Sequence, residues 1–320
     1  MLVKFWGVRG SLPAPLTPAQ VQSKIAAVVQ RITLKDIESQ DSRERFLASL
    51  PKWLFGTIGS NTSCVEVETK DGEHLIFDAG TGIRELGIDL MKRPDYGKNT
   101  TYHLFFSHFH WDHIQGLPFF NPAYDPKNKI IVYSTRKKAK EFLEDQMKYP
   151  YFPISMLGED GFGASFEFKY IEPDQKYVEI GDTKIGWHRV RHPGGCTAYS
   201  VIEKGKKIIY STDTELRPRD FERNEQNAEF YTDAEMLIID AQYTLTDSIL
   251  KEGWGHSTFS VAIDFAAGWN IKSIALFHHE PTYQDKKVFS LKQTADWYRD
   301  CSRAPDIEIF IAQEGRSFLI

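Results

Sequence analysis

Four side chains able to bind a metal ion fall within six consecutive residues, His108-Phe109-His110-Trp111-Asp112-His113. Ahead of them runs Tyr102-His103-Leu104-Phe105-Phe106, which reads as a buried strand. After them comes Ile114-Gln115-Gly116-Leu117-Pro118, which reads as a turn. The cluster therefore stands where a strand ends and the chain bends over a sheet edge. His108 and His110, two apart, can point the same way from extended backbone. Asp112 and His113, past the bend, can face a second point a few ångströms away. Imidazoles together with a carboxylate suit zinc or another first-row ion.

The same pattern recurs along the chain. Leu75-Ile76-Phe77 runs into Asp78, the stretch 184–191 into His192, and Ile208-Ile209-Tyr210-Ser211-Thr212 into Asp213. Leu237-Ile238-Ile239 runs into Asp240, and Ile274-Ala275-Leu276-Phe277 into His278. A single Asp or His flanking a strand is an ordinary cap or turn former. Repeated this often, on strands sharing a sheet edge, such residues are expected to meet in space and line one site.

Bulk properties exclude other classes. The chain has 320 residues, 41% of them hydrophobic, with 22 Phe, 14 Tyr and 7 Trp, enough for one large domain or two small ones. Its net charge of −5 shows none of the basic surplus usual in nucleic-acid binders. Cys64, Cys196 and Cys301 are far apart and offer neither a disulfide framework nor a thiolate metal site; each is expected to be a small buried apolar residue. There is no long apolar window and no signal-peptide core at the start, so a cytoplasmic protein without membrane contact is expected.

Between a first strand near residues 2–8 and the next strand signals at 63–68, the pattern turns helical. Thr17-Pro18 is a helix start, and Val21, Ile25, Val28, Val29 and Ile32 recur at helical spacing. A charged helix is expected over 42–50, stopped by Pro51. Residues 14–56 thus read as a helical insertion within a single domain of residues 1–320, packing on it or forming a lid. Arg9, between Gly7 and Gly10, reads either as an anion ligand or as half of a surface salt bridge.

Taken together, the chain resembles the metallo-β-lactamase superfamily, in its phosphodiesterase and ribonuclease Z-like branch. The carrying residues are the HxHxDH run, the histidine of His192-Pro193-Gly194-Gly195, the aspartate of Ser211-Thr212-Asp213-Thr214, Gly255-His256-Ser257-Thr258 and Leu276-Phe277-His278-His279. Gly7-Val8-Arg9-Gly10-Ser11, Ser60-Asn61-Thr62-Ser63-Cys64 and Asp78-Ala79-Gly80-Thr81-Gly82 add to it. The resemblance implies an α/β chain folded as an αββα sandwich, with two divalent metal ions at one edge. Zinc comes first, with manganese and iron as alternatives. His108, His110 and His192 would hold one ion, and Asp112, His113 and His278 the other, with Asp213 bridging. His278 is preferred to His279 because it matches the motif register and strand alternation sends the two apart.

The implied activity is metal-dependent hydrolysis of a phosphodiester. His256 resembles the catalytic histidine, oriented by Asp240; Asp112 is counted with them as well as among the ligands, and Asp78 as support. Ribonuclease Z enzymes grip tRNA with a long arm, which bacterial-type members insert between the equivalents of His192 and Asp213. Only about twenty residues separate the two here, reading as a simple strand pair. That and the acidic charge argue against long nucleic acid. A small phosphodiester is expected as substrate, a cyclic nucleotide or cyclic sugar phosphate. Tyr149, Tyr151, Phe152 and Phe162 read either as a stacking wall for it or, the favoured reading, as a packed aromatic cluster. The alternatives are ribonuclease Z-type RNA processing, thioester or lactone hydrolysis, and a non-catalytic metal-dependent sensor. A homodimer through the helices of 18–50 is compatible with the sequence.

Overall fold

The computed structural model describes residues 1–94, 96–97, 101–158, 160–302 and 306–320. The first sheet takes β1 (Leu2–Gly7), β2 (Cys64–Glu68), β3 (His74–Phe77), β4 (Thr101–Phe105), β5 (Lys129–Ser134) and β6 (Ser165–Tyr170) in that order. The second takes β7 (Tyr177–Ile180), β8 (Thr183–Val190), β9 (Cys196–Glu203), β10 (Lys206–Ser211), β11 (Met236–Asp240), β12 (Ser273–Phe277) and β13 (Glu308–Ile311), again side by side in chain order. A last strand, β14 (Ser317–Leu319), returns to the free edge of β1. In both sheets an antiparallel half gives way to a parallel one. β1, β2 and β3 are antiparallel neighbours, whereas β3, β4, β5 and β6 run parallel. β7 to β10 are antiparallel and β10 to β13 parallel.

The parallel strands are covered on both faces, which is why their sequences are nearly continuous apolar runs. Alternation sends Leu75, Phe77, Phe105 and Tyr133 between the sheets. There Phe105 stacks on Tyr133 at 4.4 Å and Phe77 on Phe105 at 5.4 Å, while Tyr210 meets Phe77 from the second sheet at 5.5 Å. Ile76, Leu104 and Val132 point the other way, into a second cluster with Ile83, Leu86 and Leu90 of the helix Gly82–Leu90. Those three positions lie on one helical stripe. The helices Phe259–Gly268 and Asp285–Cys301 cover the outer face of β11, β12 and β13. The layers are helix, sheet, sheet, helix: the αββα sandwich.

Between β1 and β2 the chain makes the helices Pro18–Val29, Leu34–Ile37, Gln40–Ser49 and Lys52–Phe55. Thr17 and Gln20 form a capping box at the first of them, and Pro18 needs no hydrogen-bond partner there. That helix buries no residue, and Ile25 and Val29 are 59% and 63% exposed. Leu50 and Leu54 are the buried apolar anchors of the segment. No helix among the described residues is long and apolar enough to cross a membrane. Cys64 and Cys196 are buried and free; Cys301 is free but exposed, against the expectation of burial, because it closes the outer face of the last helix.

On the outer face of the first sheet Glu66 is a buried carboxylate with a full set of donors. It accepts hydrogen bonds from Trp6 Nε1 at 3.0 Å, from His74 at 2.9 Å and from both Nη atoms of Arg93 at 2.9 and 3.0 Å. Burial alone would push its pKa up; the hydrogen bonds and charges of His74 and Arg93 outweigh that and hold it at about 2. A carboxylate depressed in the fold stabilises above its unfolded pKa, and that contribution disappears as pH falls through the folded value. Glu66→Gln is therefore expected to cost on the order of 3 kcal/mol at pH 7, a gap that closes between about pH 4.5 and pH 2. Chemical denaturation of both proteins across that window checks it; a pH-independent gap would contradict the argument.

Candidate metal centre and catalytic pair

The C-terminal ends of β3, β4, β8, β10, β11 and β12 all reach one edge of the sandwich, because these strands run in matching directions within each sheet. Each carries a chemistry-bearing residue at or just past that end: Asp78, the 108–113 run, His192, Asp213, Asp240 and His278. Several sit in left-handed backbone, with φ of +60° at Asp78, +49° at Asp213 and +58° at His278, and +60° at Ser11 nearby. Such residues cost of order 1–3 kcal/mol each and persist where surrounding structure enforces them. Asp and His tolerate the region better than most.

The ligand-type atoms converge in two groups. His108, His110 and His192 bring ring nitrogens within 4.8 Å of one another, and so do the ligand atoms of Asp112, His113 and His278. Asp213 lies between the groups. Its Oδ1 stands 3.8 Å from His108 Nε2 and 3.6 Å from His192 Nε2, while its Oδ2 stands 3.1 Å from His113 Nε2 and 3.2 Å from His278 Nε2. Asp112 Oδ2 is 3.2 Å from the same two nitrogens of His113 and His278. Donors placed about 2.1 Å from a tetrahedral ion stand about 3.4 Å apart, so these spacings fit a cation in each group. His108 Nε2 and His113 Nε2 are buried and face carboxylate oxygens without any hydrogen-bond geometry. Such a nitrogen beside a carboxylate calls for positive charge, from a bound cation or, at His113, from a proton. Burial opposes that proton, but Asp112, Asp213 and Asp78 outweigh it and raise the His113 pKa well above the free value. Burial pushes His108, His110 and His192 down, so they stand as the neutral imidazoles a metal requires.

Surrounding groups fix the ring orientations. Asp78 accepts from Ser107 N at 2.8 Å, Ser107 Oγ at 2.7 Å, Tyr210 OH at 2.8 Å and His113 Nδ1 at 2.8 Å. His113 therefore donates from Nδ1 and turns Nε2 toward Asp213. His192 Nδ1 donates to Gly255 O at 3.0 Å. A Cβ at Gly255, whose φ is +94°, would lie 2.2 Å from that nitrogen. His279 turns away and bonds Ala312 O at 2.9 Å.

Beside the two groups, with ligand-type atoms within 4.8 Å of those of Asp213 and His278, lies a further pair. His256 Nδ1 donates to Asp240 Oδ2 at 2.6 Å. Asp240 is fully buried and also accepts from Gln242 N and Ser257 N. Burial alone would lower His256, but the charge and hydrogen bond of Asp240 more than offset it and raise it to about 9. Its ring centre is 5.0 Å from that of His278 and 5.2 Å from that of His192.

The four aromatic residues divide between the packed cluster and the surface. Phe162 is 7% exposed and stacks on Phe166 at 5.3 Å inside the outer cluster, and Phe152 packs against the same cluster. Both are held there by apolar burial. Tyr149 and Tyr151 are 91% and 79% exposed. Of the four, Tyr151 lines a groove of about 620 Å³, with Phe109, Trp111 and Phe142. Arg9 is half of an ion pair, but a buried one: it is 2% exposed, stands 3.6 Å from Asp285 and donates to backbone carbonyls. Sequence reasoning passed over Ser107, Tyr210 and Ser11, whose hydroxyl or amide groups hold the carboxylates. The flanking glycines of 7–10 were the one available signal for Ser11.

Residues 60–288 match the family described as Anti-Pycsar protein Apyc1. The chain belongs to that family. It is a member of the metallo-β-lactamase superfamily, in the ribonuclease Z and phosphodiesterase branch. Among its relatives, ribonuclease Z of Haloarcula marismortui is 25% identical over 300 residues, covering 81% of this chain and 91% of that protein. Among solved structures, the metallo-β-lactamase fold protein YhfI of Bacillus subtilis superimposes with a TM-score of 0.63 at 16% identity, covering 99% of this chain and 98% of that one. Zn(2+)-bound PqqB of Methylobacterium extorquens does so at 0.59 and 13% identity, over the full length of both. These two neighbours share the fold of this Apyc1-family chain.

Proposed function

We propose that the protein is a binuclear metal-dependent phosphodiesterase acting on a small phosphodiester, a cyclic nucleotide or cyclic sugar phosphate. One observation carries the reading: Asp213 presents one oxygen to His108 and His192 and the other to His113 and His278. The Asp240–His256 pair stands beside them. His108, His110 and His192 would hold one ion, and Asp112, His113 and His278 the other, with zinc favoured and manganese or iron accepted by the same donors. When bound, such ions make hydroxide available near neutral pH and neutralise phosphodiester charge. His256 keeps its Nδ1 proton on Asp240, which leaves Nε2 to carry a proton toward a departing alkoxide. Asp240, sealed from water, fixes that tautomer. A binding protein has no need of such a pair, which speaks against a metal-dependent sensor.

The kinship to ribonuclease Z proteins favours a second reading, cleavage of RNA. Against it, β9 and β10 are joined by the tight turn Lys204-Gly205, both residues with positive φ, so no arm projects between His192 and Asp213. Metal-stripped protein reconstituted with zinc, manganese or iron decides between them. The panel is 2′,3′- and 3′,5′-cyclic nucleotides, cyclic ribose phosphates, short RNA, a thioester and a lactone. Turnover of a cyclic monophosphate that vanishes on chelation and returns with metal is expected. Cleavage of RNA alone would transfer the assignment to the second reading, and turnover of esters alone would sink both.

A further inference from the structure

We propose that the loop of residues 7–11, anchored by Arg9, is the positioning element for one half of the metal centre, the half built on Asp112, His113 and His278. The proposal rests on the metal assignment above. The loop reaches both Asp112 and His278 directly. Ser11 N donates to Asp112 Oδ2 at 2.7 Å, and that oxygen lies 3.2 Å from His278 Nε2. Gly10 lies flat against the imidazole of His278: a Cβ there would come within 2.5 Å of Nδ1. Gly10 N donates to His279 O at 3.0 Å and His279 N to Val8 O at 2.9 Å, so the loop and the strand end that carries His278 are stitched together.

Arg9 locks this arrangement from below. Its Nε donates to Gly59 O at 2.9 Å, and its Nη1 to Tyr283 O at 2.8 Å and Glu280 O at 3.3 Å. Three carbonyls from two segments are thus fixed by one planar fork, which a lysine cannot reproduce. Nη2 stands 3.6 Å from Asp285, itself buried. Asp285 also accepts from Ile58 N at 3.0 Å and from Lys24 Nζ at 2.5 Å. Lys24 belongs to the helix Pro18–Val29, so the N-terminal helical segment is tied to the anchor. His108, His110 and His192 take their bonds elsewhere, on Ser107 Oγ and Gly255 O for the first and last. Disturbing the loop should weaken one ion and spare the other.

Metal-free protein titrated with Zn²⁺ against a chromogenic chelator reads both sites without any substrate. Wild type is expected to take two equivalents. Gly10→Ala and Arg9→Lys should weaken one of them by about 10- to 100-fold and leave the other within about 2-fold. Lys24→Met, at a half-buried helix position remote from the ligands, should weaken the same equivalent by a smaller factor, and Lys24→Arg should restore it. Should Arg9→Lys fail to fold, Gly10→Ala and Lys24→Met still decide. Wild-type affinity at both sites in Gly10→Ala, or equal weakening of both, overturns the positioning role. A wild type that binds fewer than two equivalents overturns the metal assignment instead, and the proposal with it. A failure of the phosphodiester reading would appear only in turnover and leaves this test intact.

Discussion

Asp213→Ala is expected to leave a folded protein that retains at most one divalent ion per chain, with turnover lowered by roughly three orders of magnitude or more. The two carboxylate oxygens of Asp213 are divided between two sets of histidines, with separations of 3.1–3.8 Å. Burial alone would push this carboxyl up, yet the neighbouring His278 and His113 hold it well below the usual carboxylate range. Its removal takes away the carboxylate that the two groups share and leaves His113 Nε2 with Asp112 alone. The residue is 2% exposed at a strand end with φ of +49°, so alanine also strains the backbone there. Asp213→Asn separates the two effects: it keeps the shape and a single good acceptor but loses the charge. Metal analysis of purified protein is the measurement. Two ions at full occupancy in Asp213→Ala would end the assignment of this residue between the sites.

His256→Ala should show the opposite split. Metal content is expected to stay at the wild-type level, because His256 takes part in neither triad, while turnover of a cyclic nucleotide falls by roughly 10²–10⁴-fold. The loss should depend on the leaving group. An alkoxide needs a proton as it departs; p-nitrophenolate does not. Bis(p-nitrophenyl) phosphate should therefore be hydrolysed by the variant at a rate much closer to wild type than any cyclic nucleotide is. Asp240→Asn should fall on the same pattern with a smaller loss, because the amide can still hold the ring but no longer balances its charge. Equal losses on both substrates would remove the general-acid role. Loss of metal in His256→Ala would instead make the residue part of the ion cage, a role its 2.6 Å bond to Asp240 argues against.

Much of the site was legible because its residues occupy one kind of position. Short strand-like runs mark buried strands, and a chemistry-bearing residue at or just past the end of such a run lies at a sheet edge. That placed Asp78, His192, Asp213, Asp240 and His278 beside the 108–113 run without any structural knowledge. The choice between His278 and His279 followed from the motif register, with alternation sending the two apart, and the structure sets the latter on Ala312 O. The aromatic residues were not legible in the same way. Phe162 stands between two glycines and Tyr151 among prolines and aromatics, contexts that both suit a loop, and only packing sends Phe162 into the outer cluster and leaves Tyr151 on the surface. An aromatic side chain serves either environment, so its type alone does not discriminate.

Arg9 shows the remaining gap most clearly. As a sequence feature it is a cation between glycines, and a cation suggests an anion. Its actual partners are carbonyls at positions 59, 280 and 283 and the buried carboxylate of Asp285. Backbone groups carry no sequence signature, and segments this far apart meet only when the two sheets close on each other. The chain by itself determined the strand periodicity, the order in which strands present their terminal residues, and the chemical type of every donor. Those are local properties, set by side-chain volume, polarity and alternation. The tertiary structure decided which oxygen of Asp213 faces which histidines, which tautomer each ring adopts, and that the 7–11 loop lies against His278. Such choices depend on distances of a few tenths of an ångström between distant segments, and only the packed sandwich sets them.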